Sequence, residues 1–135
     1  MLLSEWAAHL APGFPTLEGL DGVAVDGRGH FYTVQNYTAL VRKFTTAGRL
    51  VAQWGVPGTG SGQFELPVRL ATSPDGSRVY VVDNLNSRVQ VFSNVGSYLG
   101  QWGTAGTGPG QFLGPIGIAV DRDGNVYVAD KNNSR

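Results

Sequence analysis

Residues 101–130 read QWGTAGTGPGQFLGPIGIAVDRDGNVYVAD. This stretch decides the fold because most of it has already occurred once, at residues 53–83, as QWGVPGTGSGQFELPVRLATSPDGSRVYVVD. A blurred copy runs from Glu5 to Gln35. The two clear copies each hold a Trp-Gly, a glycine-rich loop, a Gln-Phe, a Pro, and two short apolar runs joined by a turn. A chain that restates itself at a fixed spacing is one structural unit used several times.

Working outward, the large apolar residues set the period. Trp6, Trp54 and Trp102 are 48 residues apart, and so are Phe64 and Phe112. Tyr32, Tyr80 and Tyr127 follow at 48 and 47, the difference being one extra residue in the turn before Tyr80. This is longer than a leucine-rich repeat and lies in the range of roughly 40–50 residues per propeller blade.

Each period divides into four runs of strand length, rich in Val, Tyr and Phe and bounded by Gly, Pro, Asn or Asp. The first is Gly22–Val25, Val68–Thr72 or Ile116–Val120, and the second Phe31–Val34, Val79–Val82 or Val126–Ala129. The third is Leu40–Phe44 or Val89–Phe92. The fourth is Leu50–Trp54 or Tyr98–Trp102, with Leu2–Trp6 as a stray copy. No segment sustains a helical period. Asp26-Gly27-Arg28-Gly29, Ser73-Pro74-Asp75-Gly76 and Asp121-Arg122-Asp123-Gly124 fall between the first two runs, and Thr46-Ala47-Gly48 and Asn94-Val95-Gly96 between the last two. These are hairpin turns, in which Gly supplies positive φ and Asp or Ser bonds its own backbone. The expected fold is all-β, with blades of four antiparallel strands. In it Phe64 and Phe112 plug the space between neighbouring blades, and Trp54 and Trp102 cover the same seam.

The run GQFxxPxGIAVDxxGNVYVADxxNxR, carried by Gly110, Gln111, Phe112, Pro115, Gly117–Asp121, Gly124–Asp130, Asn133 and Arg135, resembles the NHL repeat family of β-propellers. The second copy keeps Gly62, Gln63, Phe64, Pro67, Asp83, Asn86 and Arg88 but departs at Arg69 and Ser73. The first replaces the Asp, Asn and Arg by Gln35, Thr38 and Leu40. The link between copies is most similar to bacterial members. The resemblance implies a six-bladed ring, of which the chain holds about two and a half blades. They are a blade remnant over 1–16, blades over 17–63 and 64–111, and a partial blade over 112–135. The chain therefore reads as the start or a piece of a longer protein, with a half-ring closing by dimerisation as the alternative.

Composition narrows the partners. Ten basic residues balance ten acidic ones, so no net field favours nucleic acid or anionic membrane. There is no Cys, hence no disulfide or thiolate site. The N-terminus lacks the basic region of a signal peptide, and Glu5 interrupts its apolar run. No apolar run approaches the ~20 residues of a membrane span. The default expectation is cytoplasmic.

The candidate chemistry is thin. Asp83 with Arg88, and Asp130 with Arg135, flank the loop after the second strand and are lost together in the first copy. They read as internal ion pairs, or alternatively as arginine forks for phosphate or carboxylate. Asp121–Asn125 reads as a turn, lacking the further oxygens of a calcium loop. The glycines at 58, 60 and 62 and at 106, 108 and 110 open no helix and precede no GKS or GKT, so they form a loop and not a phosphate cradle. His9 and His30 stand alone. No catalytic residue, metal or cofactor is expected. What remains is the face carrying the loops after the second strands. Its candidate binding residues are Tyr37, Arg69, Asn84, Leu85, Lys131 and Asn132, with Arg69 either a channel-mouth contact or a salt-bridged spacer. The Asn residues also serve as turn formers.

The expected function is a non-catalytic platform that binds a protein or other partner through this face. The resemblance leaves two alternatives. One is part of a six-bladed lactonase- or lyase-like enzyme whose metal and catalytic residues lie in other blades. The other is a propeller that binds RNA, disfavoured by the zero net charge.

Overall fold

The computed structural model describes residues 19–135. The stray strand at Leu2–Trp6, the remnant at 1–16 and His9 lie outside the described residues. Two four-stranded sheets follow one another, each with its strands in sequence order and all antiparallel. The first holds β1 (Leu20–Val25), β2 (His30–Gln35), β3 (Leu40–Thr45) and β4 (Leu50–Trp54). A link follows in which β5 (Val56–Pro57) pairs in parallel with β6 (Gln63–Phe64). The second sheet holds β7 (Pro67–Thr72), β8 (Arg78–Asp83), β9 (Arg88–Ser93) and β10 (Tyr98–Trp102). A second link repeats the first with β11 (Thr104–Ala105) and β12 (Gln111–Phe112), and then β13 (Pro115–Val120) and β14 (Val126–Asp130) form a hairpin. These are two blades of a β-propeller and the inner hairpin of a third. Among the described residues no helix is long and apolar enough to cross a membrane.

The strands are those read from the pattern, up to two residues longer, with β4 and β10 unchanged. The parallel β5–β6 and β11–β12 pairs have no counterpart in that reading. All three innermost strands carry a one-residue bulge at the same place, at Asp21, Val68 and Ile116, where the register skips a residue. A bulge turns the strand and re-aims the side chain that follows; here that is Gly22, Arg69 or Gly117.

The core lies between blades. In the first seam Tyr32, Val34 and Val41 of one blade meet Leu70, Val79, Val81 and Phe92 of the next, with Phe64 from the link fully buried among them. Trp54 closes it, its ring 5.7 Å from Phe92 and 6.4 Å from Tyr32. The second seam uses the corresponding set: Tyr80, Val82, Val89 and Val91 against Ile118, Val120, Val126 and Val128, with Phe112 from its link. Burial of a side chain such as Phe64 stabilises by roughly 1.5–3 kcal/mol.

The glycine-rich links are cages for a glutamine. Gln63 Oε1 accepts the Gly60 N–H at 2.9 Å, and Gln111 Oε1 accepts the Gly108 N–H at 2.9 Å. Gly58 and Gly106 sit at φ 147° and 151°, and a Cβ on either would lie 2.3 or 2.2 Å from that glutamine oxygen. The conserved spacing of the glycines within this chain thus follows from the Gln that precedes each Phe.

Candidate functional site

The loops after β2, β8 and β14 and the two links emerge at one end of the blades, because β1, β7 and β13 begin where β2, β8 and β14 end. Residues 36–39, 84–87 and 131–134 share one backbone form. The fourth residue of each is left-handed (Ala39, Ser87 and Ser134, φ 50–55°) and donates its N–H back to the first carbonyl. Their tips differ. Tyr37 is 88% exposed and Leu85 59%, whereas the third tip is the polar, exposed Asn132. Asn84 is not free: its side chain donates to the Pro115 carbonyl of the next hairpin at 2.9 Å. Asn132 reaches the Leu113 carbonyl at 3.3 Å, and Lys131 is exposed beside it.

Beneath Leu85 lies a buried network. Asp83 Oδ1 accepts the N–H groups of Glu65 and Leu66 at 3.0 and 3.1 Å, and Oδ2 accepts Asn86 at 2.8 Å. Arg88 Nε reaches the same Oδ2 at 3.2 Å, an ion pair with both partners almost wholly buried. The rest of its guanidinium donates to the carbonyls of Thr59, Gly60 and Gln63. Arg88 also donates to Gln101 Oε1 of β10 at 3.1 Å, but most of these bonds go to the link, so the pair fastens the loop to the link that precedes it.

The copy at Asp130 keeps part of this. Asp130 accepts the N–H groups of Leu113 and Gly114 and the Asn133 side chain at 2.6 Å. Burial pushes its carboxyl up, but these bonds and the nearby Arg135 hold it below its ordinary value. The expected Asp130–Arg135 ion pair is not formed. With the carboxylate filled by its other donors, the Arg135 guanidinium goes to the carbonyls of Gly108 and Gln111 at 2.8 Å.

The first blade rearranges the same parts. Gln35 replaces the Asp, Leu40 the Arg, and the cation reappears two residues along β3 as Arg42, in the place of Gln90. Arg42 is buried and donates to Gln35 Oε1 and, at 3.4 Å, to Gln53 Oε1. Burial lowers its pKa. Gln90 instead accepts the Gly62 N–H at 2.8 Å and donates to the Gln63 carbonyl at 2.7 Å. Sequence reasoning missed Arg42, Gln63, Gln90 and Gln111. The visible signals were the repeat of Gln63 at 111 and the arrival of Arg42 where Arg88 has no equivalent.

Arg69 stands on the innermost strand, exposed, just after its bulge. One terminal nitrogen donates to the Asp21 carbonyl of the neighbouring blade and, at 2.7 Å, to the Val68 carbonyl. Among the described residues it has no carboxylate partner, so it ties β1 to β7 through backbone oxygens and is not salt-bridged. At the opposite end of the blades the turns are held mainly by their own side chains, and Lys43 and Thr72 bridge the two blades at the Asn94 and Val25 carbonyls. Asp121 accepts the N–H groups of Asp123 and Asn125, the Asn125 side chain and the Tyr127 hydroxyl. Those bonds, the Asn125 side chain first, lower its pKa. His30 bonds Asp26 at 3.1 Å in the corresponding turn. Among the described residues no three His, Asp or Glu side chains gather as metal ligands.

A family model described as a six-bladed β-propeller matches residues 71–135. No curated protein matches the sequence. Among solved structures, virginiamycin B lyase of Staphylococcus aureus is similar with a TM-score of 0.63 and 18% identity, over 84% of this chain and 35% of that one. A protein of unknown function from Bacteroides thetaiotaomicron gives 0.64 and 23%, over 82% and 30%. A candidate 6-phosphogluconolactonase from Bacteroides uniformis gives 0.59 and 16%, over 82% and 33%. The chain spans about a third of each of these structures.

Proposed function

We propose that these blades belong to an NHL-type propeller serving as a non-catalytic platform, which binds a protein partner through the loops after β2, β8 and β14. One observation supports this most: three loops with the same backbone carry tips as different as Tyr37, Leu85 and Asn132, two of them exposed and apolar. Structure alone asks for neither the Tyr37 nor the Leu85 tip: both side chains stand exposed while their loops are held by backbone bonds, and under Leu85 by Asp83, Asn86 and Arg88 as well. Exposed aromatic and aliphatic anchors beside polar loops are the composition of a protein-binding patch. Arg69 and Lys131 add two exposed cations at its rim.

The enzyme reading is favoured only by the likeness to a lyase and a candidate lactonase, at identities that speak for fold alone. It would need inward-facing Glu, Asp, Asn or His on the innermost strands. β1, β7 and β13 offer Asp21, whose carboxylate already accepts the Asn36 N–H at 3.2 Å.

Capture of a partner from a cell extract tests the platform. Tyr37→Ala should weaken capture several-fold and leave the melting temperature unchanged, and Arg69→Ala should weaken capture likewise while lowering the melting temperature slightly through the lost bonds to the Asp21 and Val68 carbonyls. Capture that survives both substitutions puts the partner on another face.

A further inference from the structure

Arg69 departs from its own repeat. The other two innermost strands carry Gly22 and Gly117 at that position, and their hairpins keep the same register and the same bulge, so the strand itself asks for no side chain there. Arg69 lies on the middle strand of the three, with β1 and β13 packed on either side.

Its guanidinium is held by one nitrogen and open at the others. Nη1 donates to the Asp21 carbonyl of the blade before and to the Val68 carbonyl beside it. Nε and Nη2 have no partner among the described residues, and the residue is exposed. The Nε–Nη2 edge presents two parallel N–H donors, the shape that a carboxylate or phosphate accepts bidentately. Because two carbonyls already hold the group in place, less side-chain freedom is lost when that edge is occupied.

Both apolar tips of the loop face adjoin this edge. Asp21, whose carbonyl holds Nη1, accepts the Asn36 N–H on its carboxylate at 3.2 Å, and Tyr37 is the next residue. On the other side Arg69 is in register with Val82 of β8, and Leu85 follows three residues on, within roughly 10 Å of chain. The Asp21 carboxylate also selects what fits. A phosphate, with close to two negative charges, meets about twice the repulsion there that a carboxylate meets.

We infer that Arg69 is the specificity contact of the loop face: its open edge takes the carboxylate of an Asp or Glu side chain in a bound polypeptide, whose neighbouring apolar side chains lie on Tyr37 and Leu85. This rests on the platform reading above and gives the partner its chemistry, an acidic residue flanked by apolar ones. Charge complementarity at such a contact sets which partner is accepted more than how tightly it is held.

The test selects peptides from a random library displayed on phage against the 135-residue chain, and then titrates the best of them, synthesised with blocked ends. Enrichment of Asp or Glu beside aromatic or aliphatic residues is expected. Replacing that acid by its amide should weaken binding to the unaltered chain about tenfold, a comparison that depends on no variant. Arg69→Gln, and Arg69→Lys, which keeps the charge and loses the fork, should cost the acidic peptide the same and leave the amide peptide unaffected. Enriched peptides without an acid, or acidic peptides that bind Arg69→Gln as tightly as the unaltered chain, overturn the inference; the platform survives if Tyr37→Ala still weakens them. Tighter binding of a peptide with phosphoserine in place of the acid also overturns it, and makes phosphate the group that is read. A library that enriches nothing, or peptides indifferent to both Arg69→Gln and Tyr37→Ala, removes the platform reading as well.

Discussion

The two seams are built from the same residues and end differently. Phe64 is fully buried and Phe112 only partly; Trp54 lies against Phe92, and Trp102 has Tyr80 at 5.9 Å but no counterpart of Phe92. Both links fold alike, down to the caged glutamine and the parallel two-residue ladder. The link is therefore not what closes a seam. Closure comes from the third strand of the following blade, which brings one aromatic and one glutamine to a frame already in place.

This difference predicts unequal responses to equal substitutions. Phe64→Ala should destabilise by about 4 kcal/mol, and Phe112→Ala by about 1–2, since a cavity costs most where the surroundings cannot collapse or admit water. Denaturant unfolding of both variants reads this directly, and equal losses would break the comparison. Next comes the carboxylate under each loop. Asp83→Ala leaves Arg88 buried without its counter-charge and should cost about 3 kcal/mol. Asp130→Ala abandons N–H bonds but no ion pair, and should cost nearer 1–2 kcal/mol.

The smallest effect concerns Tyr32, in the first seam. Its hydroxyl is buried without a hydrogen-bond partner among the described residues, and burial, then the charge of Asp26, pushes its pKa from 10.0 up to about 12. A raised folded pKa means that the neutral phenol's contribution is whole below the unfolded value near 10 and is lost as pH rises toward about 12. Tyr32→Phe should change stability at pH 7 by under about 0.5 kcal/mol and flatten the alkaline decline. Unfolding followed between pH 8 and 12 checks both parts. A variant that loses stability at pH 7 would show that the hydroxyl has an unrecognised partner.

Much of this fold was legible in the sequence because it rests on periodicity. The Trp, Phe and Tyr repeats, the turn glycines and the alternating Val runs specify strands, hairpins and seams through local rules. The polar wiring was less legible. The loss of Asp and Arg at Gln35 and Leu40 looked like a decayed copy, whereas Arg42 restores a cation two residues away, which only the register of β3 against β4 reveals. Arg135 lies at the position of Arg88 and yet leaves Asp130, because a side chain's choice between a carboxylate and nearby carbonyls depends on distances that spacing does not encode. Tyr37 and Leu85 were visible as apolar tips in polar loops. That Asn84 is spent on Pro115 was not, since that bond crosses to another blade.

Amide exchange at two glycines tests the account most directly. In the 135-residue chain alone, the Gly62 N–H is held by Gln90 and should exchange slowly, while the equivalent Gly110 N–H should exchange near the rate of a free loop. Equal protection at the two positions would contradict the claim that the first seam is closed by β9 and the second is not.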